Sequence, residues 1–356
     1  MKKIVYRTLI IAICLVLIGI VLQFSYNEYV FSSYDSMYDQ DYLGSTDKAS
    51  IKEVWRLKDN YGEEIWPGLQ NGAMPIILFN DRYEFLAGVS AESGEWNEVE
   101  NDSIKGESYF RRPADNPQAF TTETAAGWAG SMSCLDYLNR DILLTIREKL
   151  PTPLNRLLPS QMIVRTNDFH VVAIIHERFH AWQAEQYYEK FNESVDKSSM
   201  VDHYPYEERD PSELFTQEGK YLHQALKAED REKKLERVRK FLLIRQERRE
   251  EMDTQYVDFE KYYEWLEGLA KYAEIKAYEV AYRHGDQLAL SYKRGMPYWK
   301  TEWNNLEKLG EVNGSSRFYL SGMAQARLLD QLSDDWKNQI MKQGVFLETL
   351  LEQLAG

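Results

Sequence analysis

Cysteine is scarce in this 356-residue sequence, which contains only Cys14 and Cys134. Cys14 lies inside an N-terminal apolar run, so an internal disulfide between residues outside that run is excluded. A lone cysteine such as Cys134 is expected to be buried as a small apolar side chain. The sequence also shows no internal repeat, low-complexity tract or phosphate-binding loop, and solenoid and P-loop architectures therefore have no support.

Positive charge is also in short supply. The chain has 43 lysines and arginines against 57 aspartates and glutamates, which gives a formal net charge of −14 and an isoelectric point near 5.1. An acidic chain repels nucleic-acid phosphates, and we therefore expect no nucleic acid as a partner. Apolar residues make up 44% of the chain and aromatic residues 13%, which suits a packed core and argues against disorder.

One long apolar run, from Leu9 to Leu22, follows a basic cluster that begins at Lys2. A basic flank before an apolar run is typical of a signal peptide or a signal anchor. We predict that residues 1–24 form one uncleaved transmembrane anchor, because Ile20, Val21 and Leu22 offer no cleavage site with small residues at the required positions. The protein is then single-pass, with its basic end in the cytoplasm and its C-terminal domain extracytoplasmic.

Lipid attachment at Cys14 is the alternative, but Ile13 is too large for the position before a lipidated cysteine. Residues 25–50 are rich in Tyr, Ser and Asp without periodicity and are predicted to be a stalk. Residues 51–356 are then the globular domain.

Apolar periodicity indicates short strands early and helices late. Ile76–Phe79 is predicted to be a buried strand, residues 95–118 a loop, and the small residues around Trp128 a strand edge or close-packed loop. Helices are predicted at about 169–190, 212–252 and 259–282, and one or two closing helices at 319–354. This order predicts an α+β fold with a small mixed sheet and a predominantly helical C-terminal half. The run Arg245, Arg248, Arg249 is predicted to be a solvated face.

The segment from Val171 to His180 contains the pattern H-E-x-x-H. On a helix, His176 and His180 share one face and can present two imidazole nitrogens to one zinc ion. Glu177 is turned away by about 100°, beside the ion, where it can take a proton from water that zinc has made more acidic. The competing interpretation is a buried helix whose two histidines are satisfied by core hydrogen bonds.

A catalytic zinc ion needs a third protein ligand and an open position. The pattern with a third histidine on the same segment is excluded, because Gln183 and Gln186 stand where glycine and histidine are required. Downstream, residues 267–274 read E-G-L-A-K-Y-A-E. This segment resembles the gluzincin metallopeptidases, in which E-G-x-A-x-Y-x-E follows H-E-x-x-H.

The resemblance implies that Glu267 is the third zinc ligand and that the fold is zincin-like, with the two helices facing one ion. About 87 residues separate His180 from Glu267, more than in aminopeptidase-type gluzincins, so a long helical insertion is predicted at about 191–258. Gly268 is expected where another backbone comes close, with the His176 helix as the expected partner.

Glu274 lies two turns after Glu267 on the same face and is predicted to support a ligand by a hydrogen bond, with a solvated carboxylate as the alternative. Tyr319 is the first choice for the donor that stabilises the oxyanion, although a core aromatic is the competing interpretation. His223 is the second choice, and His170 is predicted to be structural. Trp128 and its neighbours are considered as an edge strand for a peptide substrate.

These patterns together predict an anchored zinc metallopeptidase that hydrolyses a peptide or protein substrate, with Glu177 as general base. A zincin-fold envelope scaffold or assembly factor that does not cut is the alternative. A purely structural zinc site is disfavoured because only three ligands are evident, whereas structural zinc is normally closed by four.

Overall fold

A computed structural model of the chain describes residues 2–36, 39–90, 95–206, 212–285 and 302–356. Of the residues in these ranges, 66% are helical, and the structure contains a small mixed sheet, so the predicted α+β class is confirmed. The chain divides into two compact units. The first contains Met1–Lys52, Ile76–Ala119 and Ser131–His170, and the second contains Glu53–Pro75, Phe120–Gly130 and Val171–Gly356.

The helices, in chain order, are α1 (Lys2–Asp35), α2 (Ser45–Ile65), α3 (Leu135–Lys149), α4 (Leu154–Leu157), α5 (Asn167–Gln186), α6 (Tyr188–Ser198), α7 (Ser212–Lys227), α8 (Arg231–Arg249), α9 (Thr254–Tyr263), α10 (Leu269–Arg283), α11 (302–307), α12 (Ser316–Leu332), α13 (Trp336–Ile340) and α14 (Leu347–Ala355). A π-helical turn, Glu264–Gly268, joins α9 to α10. The strands are β1 (Ile76–Phe79), β2 (Tyr83–Ala87), β3 (Asn97–Glu98), β4 (Phe110–Pro113), β5 (Phe120–Thr124) and β6 (Gly127–Ser133).

The sheet of the first unit is built around β1. All four residues of β1 are apolar and buried, which confirms the predicted strand. β1 pairs antiparallel with β2, β2 with β4, and β4 with β3. The prediction of a loop over residues 95–118 is therefore wrong in part. β3 and β4 lack an alternating apolar pattern, and their pairing with β2 rather than local preference makes them strands.

Helix α1 is longer than the predicted anchor. Its residues Tyr6–Asp35 are long and apolar enough to cross a membrane, by length and composition. The helix continues past residue 24 into the predicted stalk because its C-terminal half packs on α3 and α4. Asn27 Nδ2 donates to the carbonyl oxygens of Arg156 and Leu158, each at 2.7 Å. The Arg147 guanidinium lies 3.7 Å from the centre of the Phe31 ring.

The core of the second unit is centred on the buried Trp66. The rings of Phe179, Trp182, Tyr272 and Trp336 surround it edge to face, at centroid distances of 5.1 to 5.9 Å. Such edge-to-face pairs add about 0.5–1.5 kcal/mol each beyond the area they bury. Because these rings come from α5, α10 and α13, the cluster holds the H-E-x-x-H helix against the helix that follows the π turn.

Three predicted helices are interrupted. The helix predicted over 212–252 is wrong as a single element, because α7 ends at Lys227 and a new helix, α8, begins after Asp230, whose side chain caps it by accepting from Lys233 N at 3.0 Å. The helix predicted over 169–190 ends at Gln186, where Tyr187 leaves helical geometry. The closing segment at 319–354, predicted as one or two helices, forms three, α12 to α14.

Candidate metal centre

The H-E-x-x-H segment lies on α5, in the second unit, and is helical as predicted. His176 and His180 are both buried, and their ring centroids are 4.8 Å apart with an interplanar angle of 80°. The four-residue spacing puts both rings on one face of the helix, since 3.6 residues make a turn. α5 therefore presents two imidazoles to the same point.

Glu267 reaches that point from the π turn. Its Oε2 lies 3.1 Å from His176 Nε2 and 3.4 Å from His180 Nε2. One donor atom from each of the three residues lies within 4.8 Å of the others. Zinc ligands about 2.0–2.1 Å from a tetrahedral ion are about 3.3–3.4 Å from one another. The separations from the carboxylate to both imidazoles match that spacing.

The other nitrogen of each imidazole is already occupied. His176 Nδ1 lies 2.8 Å from Glu274 Oε1, and His180 Nδ1 lies 3.0 Å from Gln183 Oε1. An acceptor at Nδ1 selects the tautomer with its proton there and leaves the Nε2 lone pair for a metal. Among the described residues, buried His180 Nε2 has no hydrogen-bond partner. A buried nitrogen without a partner is costly, and a cation between the three residues would satisfy it, so the residues fit a zinc ion.

Glu274 therefore lies where its predicted supporting role requires, since it is buried and contacts His176. Gln183 was considered in the sequence only as a departure from the third-histidine pattern. Its amide also donates from Nε2 to the Trp265 carbonyl oxygen at 3.2 Å, which ties α5 to the π turn. Its position three residues after His180, within helical contact distance, was a signal available in the sequence.

The charges of the centre favour a cation. Burial opposes ionisation of Glu267, but the two histidines outweigh burial and lower its pKa well below the usual range. Burial likewise lowers the pKa of His176, but hydrogen bonds to Glu267 and Glu274 outweigh it and raise that pKa to about 10. Two carboxylates thus hold a positive charge at His176 in the absence of a metal.

Glu177 follows His176 on α5 and is half-buried. Burial, together with the negative charges of Glu267 and Glu274, raises its pKa to about 8, against the opposing effect of His176. Among the described residues its carboxylate has no hydrogen-bond or salt-bridge partner, so it is available to a water molecule. A dication beside it would favour the ionised form that accepts a proton.

Tyr319 lies in the first turn of α12, as predicted, and its ring stacks on His176 at a centroid distance of 5.9 Å and an angle of 16°. The ring of Tyr263 lies 5.7 Å away. Burial and the charge of Glu267 raise the pKa of Tyr319 far above 10, so its hydroxyl remains a hydrogen-bond donor at any physiological pH. The structure therefore brings the predicted donor to the centre.

Two glycines let the π turn and α12 touch. A Cβ on Gly268 would lie 2.6 Å from Gly322 Cα, and a Cβ on Gly322 would lie 2.8 Å from the Glu264 carbonyl oxygen. The expectation that Gly268 admits the His176 helix is wrong, because the backbone that approaches it belongs to α12. α5 has its own close partner, since a Cβ on Gly130 of β6 would lie 2.6 Å from Arg178 N.

The strand at Trp128 is not an edge. β6 neighbours β5 on one side, and on the other Gly130 N donates to the Pro75 carbonyl oxygen at 3.3 Å. The possibility that Trp128 and its neighbours form the edge is therefore wrong. Within the second unit, β5 is the edge strand instead. The ring of its residue Phe120 lies 4.9 Å from the ring of His180.

The remaining histidine candidates lie elsewhere. His223 Nδ1 pairs with Glu307 at 2.5 Å, and its ring lies 5.7 Å from Trp303. Buried His170 belongs to the first unit, where Nε2 bonds the Ser133 carbonyl oxygen at 2.9 Å. His170 is thus part of the packing, as predicted.

The arginine run on α8 is buried, so the prediction of a solvated face is wrong. Arg245 and Arg248 are 2% and 6% exposed and meet a cluster of glutamates, namely Glu218, Glu260, Glu264 and Glu348. Arg245 binds both oxygens of Glu264, at 2.7 and 2.8 Å. Glu264 opens the π turn and also accepts from Ser321 and Gln325 of α12. Arg245 of the predicted insertion therefore bonds the element that carries Glu267, and Glu264 links that element to α12, which carries Tyr319.

Comparison with known proteins adds no relative: no protein family, curated protein or solved structure matches the chain.

Proposed function

We propose that this protein is a zinc metallopeptidase of gluzincin type, held in a membrane by α1, with its C-terminal domain extracytoplasmic and zincin-like in fold. The observation that carries the proposal is the convergence of His176, His180 and Glu267 within 4.8 Å, with the half-buried Glu177 adjacent on α5. Three ligands leave one tetrahedral position open, which is typical of catalytic rather than structural zinc.

A bound zinc ion would supply a Lewis acid that polarises a peptide carbonyl and makes water more acidic. The protein contributes the proton transfers. Glu177 takes a proton from the attacking water and returns it to the leaving amine. Tyr319 donates its hydroxyl hydrogen to the oxyanion that develops on the former carbonyl. Glu274 and Gln183 hold the two imidazoles in the orientation and tautomer that binding requires.

A peptide substrate would bind beside β5, because that strand ends the sheet next to His180. An extended peptide that adds to a sheet edge gains main-chain hydrogen bonds independent of its sequence. The scissile carbonyl would then lie near the three ligands and Glu177.

The test uses the full chain in detergent or lipid and a mixed peptide library. We expect one zinc ion per chain and cleavage that a chelator stops and added zinc restores. Glu177→Gln should keep the zinc and lose cleavage, whereas Glu189→Gln, an exposed carboxylate on α6, should change neither.

Undiminished cleavage by Glu177→Gln would overturn the mechanism. Absence of zinc from the wild-type chain under zinc-replete conditions would overturn the site. Stoichiometric zinc without cleavage of any peptide would favour the non-catalytic scaffold instead.

A further inference from the structure

The segment from Lys149 to Asn167, in the first unit, has a composition unlike the rest of the chain. It contains no acidic residue, whereas the whole chain has 57 in 356, about one residue in six. Lys149, Arg156 and Arg165 are interspersed with leucines and prolines. A basic, apolar segment therefore stands out from a protein whose net charge is −14.

The same segment exposes its apolar side chains. Leu154 is 58% exposed, Leu158 39% and Met162 83%, and Leu150 is 37% exposed. An isolated exposed leucine is normal in soluble proteins. Several within one short stretch, rimmed by basic residues, indicate a contact with another apolar phase.

The position of α1 sets the level of this segment relative to a bilayer. The run Leu9–Leu22 is roughly 14 residues, or about 21 Å at 1.5 Å per residue, and a hydrocarbon core is about 30 Å thick. The core therefore takes in about three more residues at each end and reaches about Ser25. Asn27, two residues and about 3 Å further on, bonds the backbone of Arg156 and Leu158.

Other side chains at this level suit a membrane interface. Tyr26 and Tyr29 are 42% and 72% exposed on α1, and tyrosines are enriched where a helix meets the headgroups. The Arg156 side chain is 44% exposed, lies 5.8 Å from the centre of the Phe24 ring, and is 3.7 Å from Glu28. An arginine in this place can reach lipid phosphates while its stem packs on apolar surface.

We propose that residues 149–167 form a second membrane contact, lying in the headgroup region of the bilayer that α1 crosses. Leu154, Leu158 and Met162 enter the acyl boundary, and the basic side chains face the phosphates. The inference rests on the anchor in the proposed function and is independent of the zinc chemistry. The first unit is then fixed to the bilayer at two places instead of being suspended on a stalk.

The experiment measures depth with a nitroxide label on the full chain in lipid vesicles. Cys14→Ala removes the exposed cysteine, and buried Cys134 should stay unlabelled. Met162→Cys carries the test label, Val16→Cys the deep reference and Asp115→Cys the aqueous reference, since Asp115 is exposed in the first unit. Collision rates with oxygen and with a water-soluble nickel chelate give the depth of each label.

We expect the label at position 162 to lie about 5–10 Å inside the headgroup boundary, as interfacial segments do, and the label at 115 to read as aqueous. Leu154→Asp combined with Leu158→Asp should move the label at 162 to the aqueous value, because charges do not enter the acyl region. These results would support the second contact.

An aqueous reading at 162 with a deep reading at 16 would refute the second contact and leave the anchor intact. An aqueous reading at 16 would refute both the second contact and the membrane anchor. A label at 162 shielded from oxygen and nickel alike would show that protein covers the segment, which overturns the inference in favour of contact with a second copy of the chain.

Discussion

Substitution of Gly268 by alanine tests whether the contact between the π turn and α12 sets the geometry of the centre. The added Cβ would lie 2.6 Å from Gly322 Cα, 3.0 Å from its carbonyl carbon and 3.2 Å from Met323 N. Carbon atoms are in favourable contact at about 3.5–4.0 Å, so the two elements must separate by about 1 Å. All three atoms are backbone, and no side chain can rotate away.

This movement changes the distance between Glu267 and Tyr319, because Glu267 precedes Gly268 and Tyr319 lies about one turn before Gly322. The metal ligands lie on α5 and the π turn. Gln183 bonds α5 to the π turn, and the rings around Trp66 hold α5 against α10, which follows the π turn, so we expect α12 to take the displacement. Zinc should stay bound. Turnover should fall on the order of 100-fold, because a misplacement of about 1 Å in a catalytic group has that effect.

The effect of Gly268→Ala on the free energy of unfolding should be smaller than its effect on turnover. Overpacking costs about 1–3 kcal/mol, and alanine regains about 1 kcal/mol over glycine in a helix, so the net loss is about 0–2 kcal/mol. Gly322→Ala introduces a methyl group into the same contact from α12. The double variant should lose less stability than the two single variants lose together, because one separation of the two elements accommodates both methyl groups. Gly19→Ala, whose methyl meets nothing within 4 Å, is the control. Unchanged turnover in Gly268→Ala would refute the reasoning.

Three further substitutions have defined outcomes. Arg245→Met should lower the free energy of unfolding by about 3–5 kcal/mol, measured by chemical denaturation, because Glu264 and its neighbours remain buried without their partner; a loss below 1 kcal/mol would contradict this. Glu274→Gln should weaken zinc binding about 10–100-fold in chelator competition, because His176 loses a charged acceptor, and equal affinity would exclude the carboxylate's role. Burial lowers the pKa of His170 to about 4; its unfolded pKa is about 6.5, so the unfolded state binds the proton first and stability falls as pH drops through this range. His170→Gln should therefore remove about 2–3 kcal/mol of the stability lost between pH 7 and 4.5, and denaturation curves with identical pH dependence in both proteins would disprove it.

The features that the sequence predicted well depend on patterns of residues that lie close together along the chain. Ile76–Phe79 is a buried apolar run, and it is a strand. His176 and His180 are four residues apart on a helix, so their convergence follows from helix geometry alone. Glu267 was placed by resemblance and lies at 3.1 and 3.4 Å from the two imidazoles. The zinc, the peptidase activity and the zincin-like fold stay predictions.

The features that the sequence did not reveal depend on partners far along the chain. The buried arginines of α8 looked like a solvated charge run because the glutamates that neutralise them, including Glu264 and Glu348, lie on other helices. β3 and β4 are strands because they pair with neighbours, and α1 continues to Asp35 because α3 and α4 support it.

The sequence by itself determined which side chains can bind a metal, because residue type and helical spacing are local properties. Tertiary structure alone decided that Tyr319 stacks on His176, that Gly268 meets Gly322, and that Gln183 donates to the Trp265 carbonyl oxygen. Each of these contacts requires packing geometry, and local conformational preference carries no information about which distant surface a helix will meet.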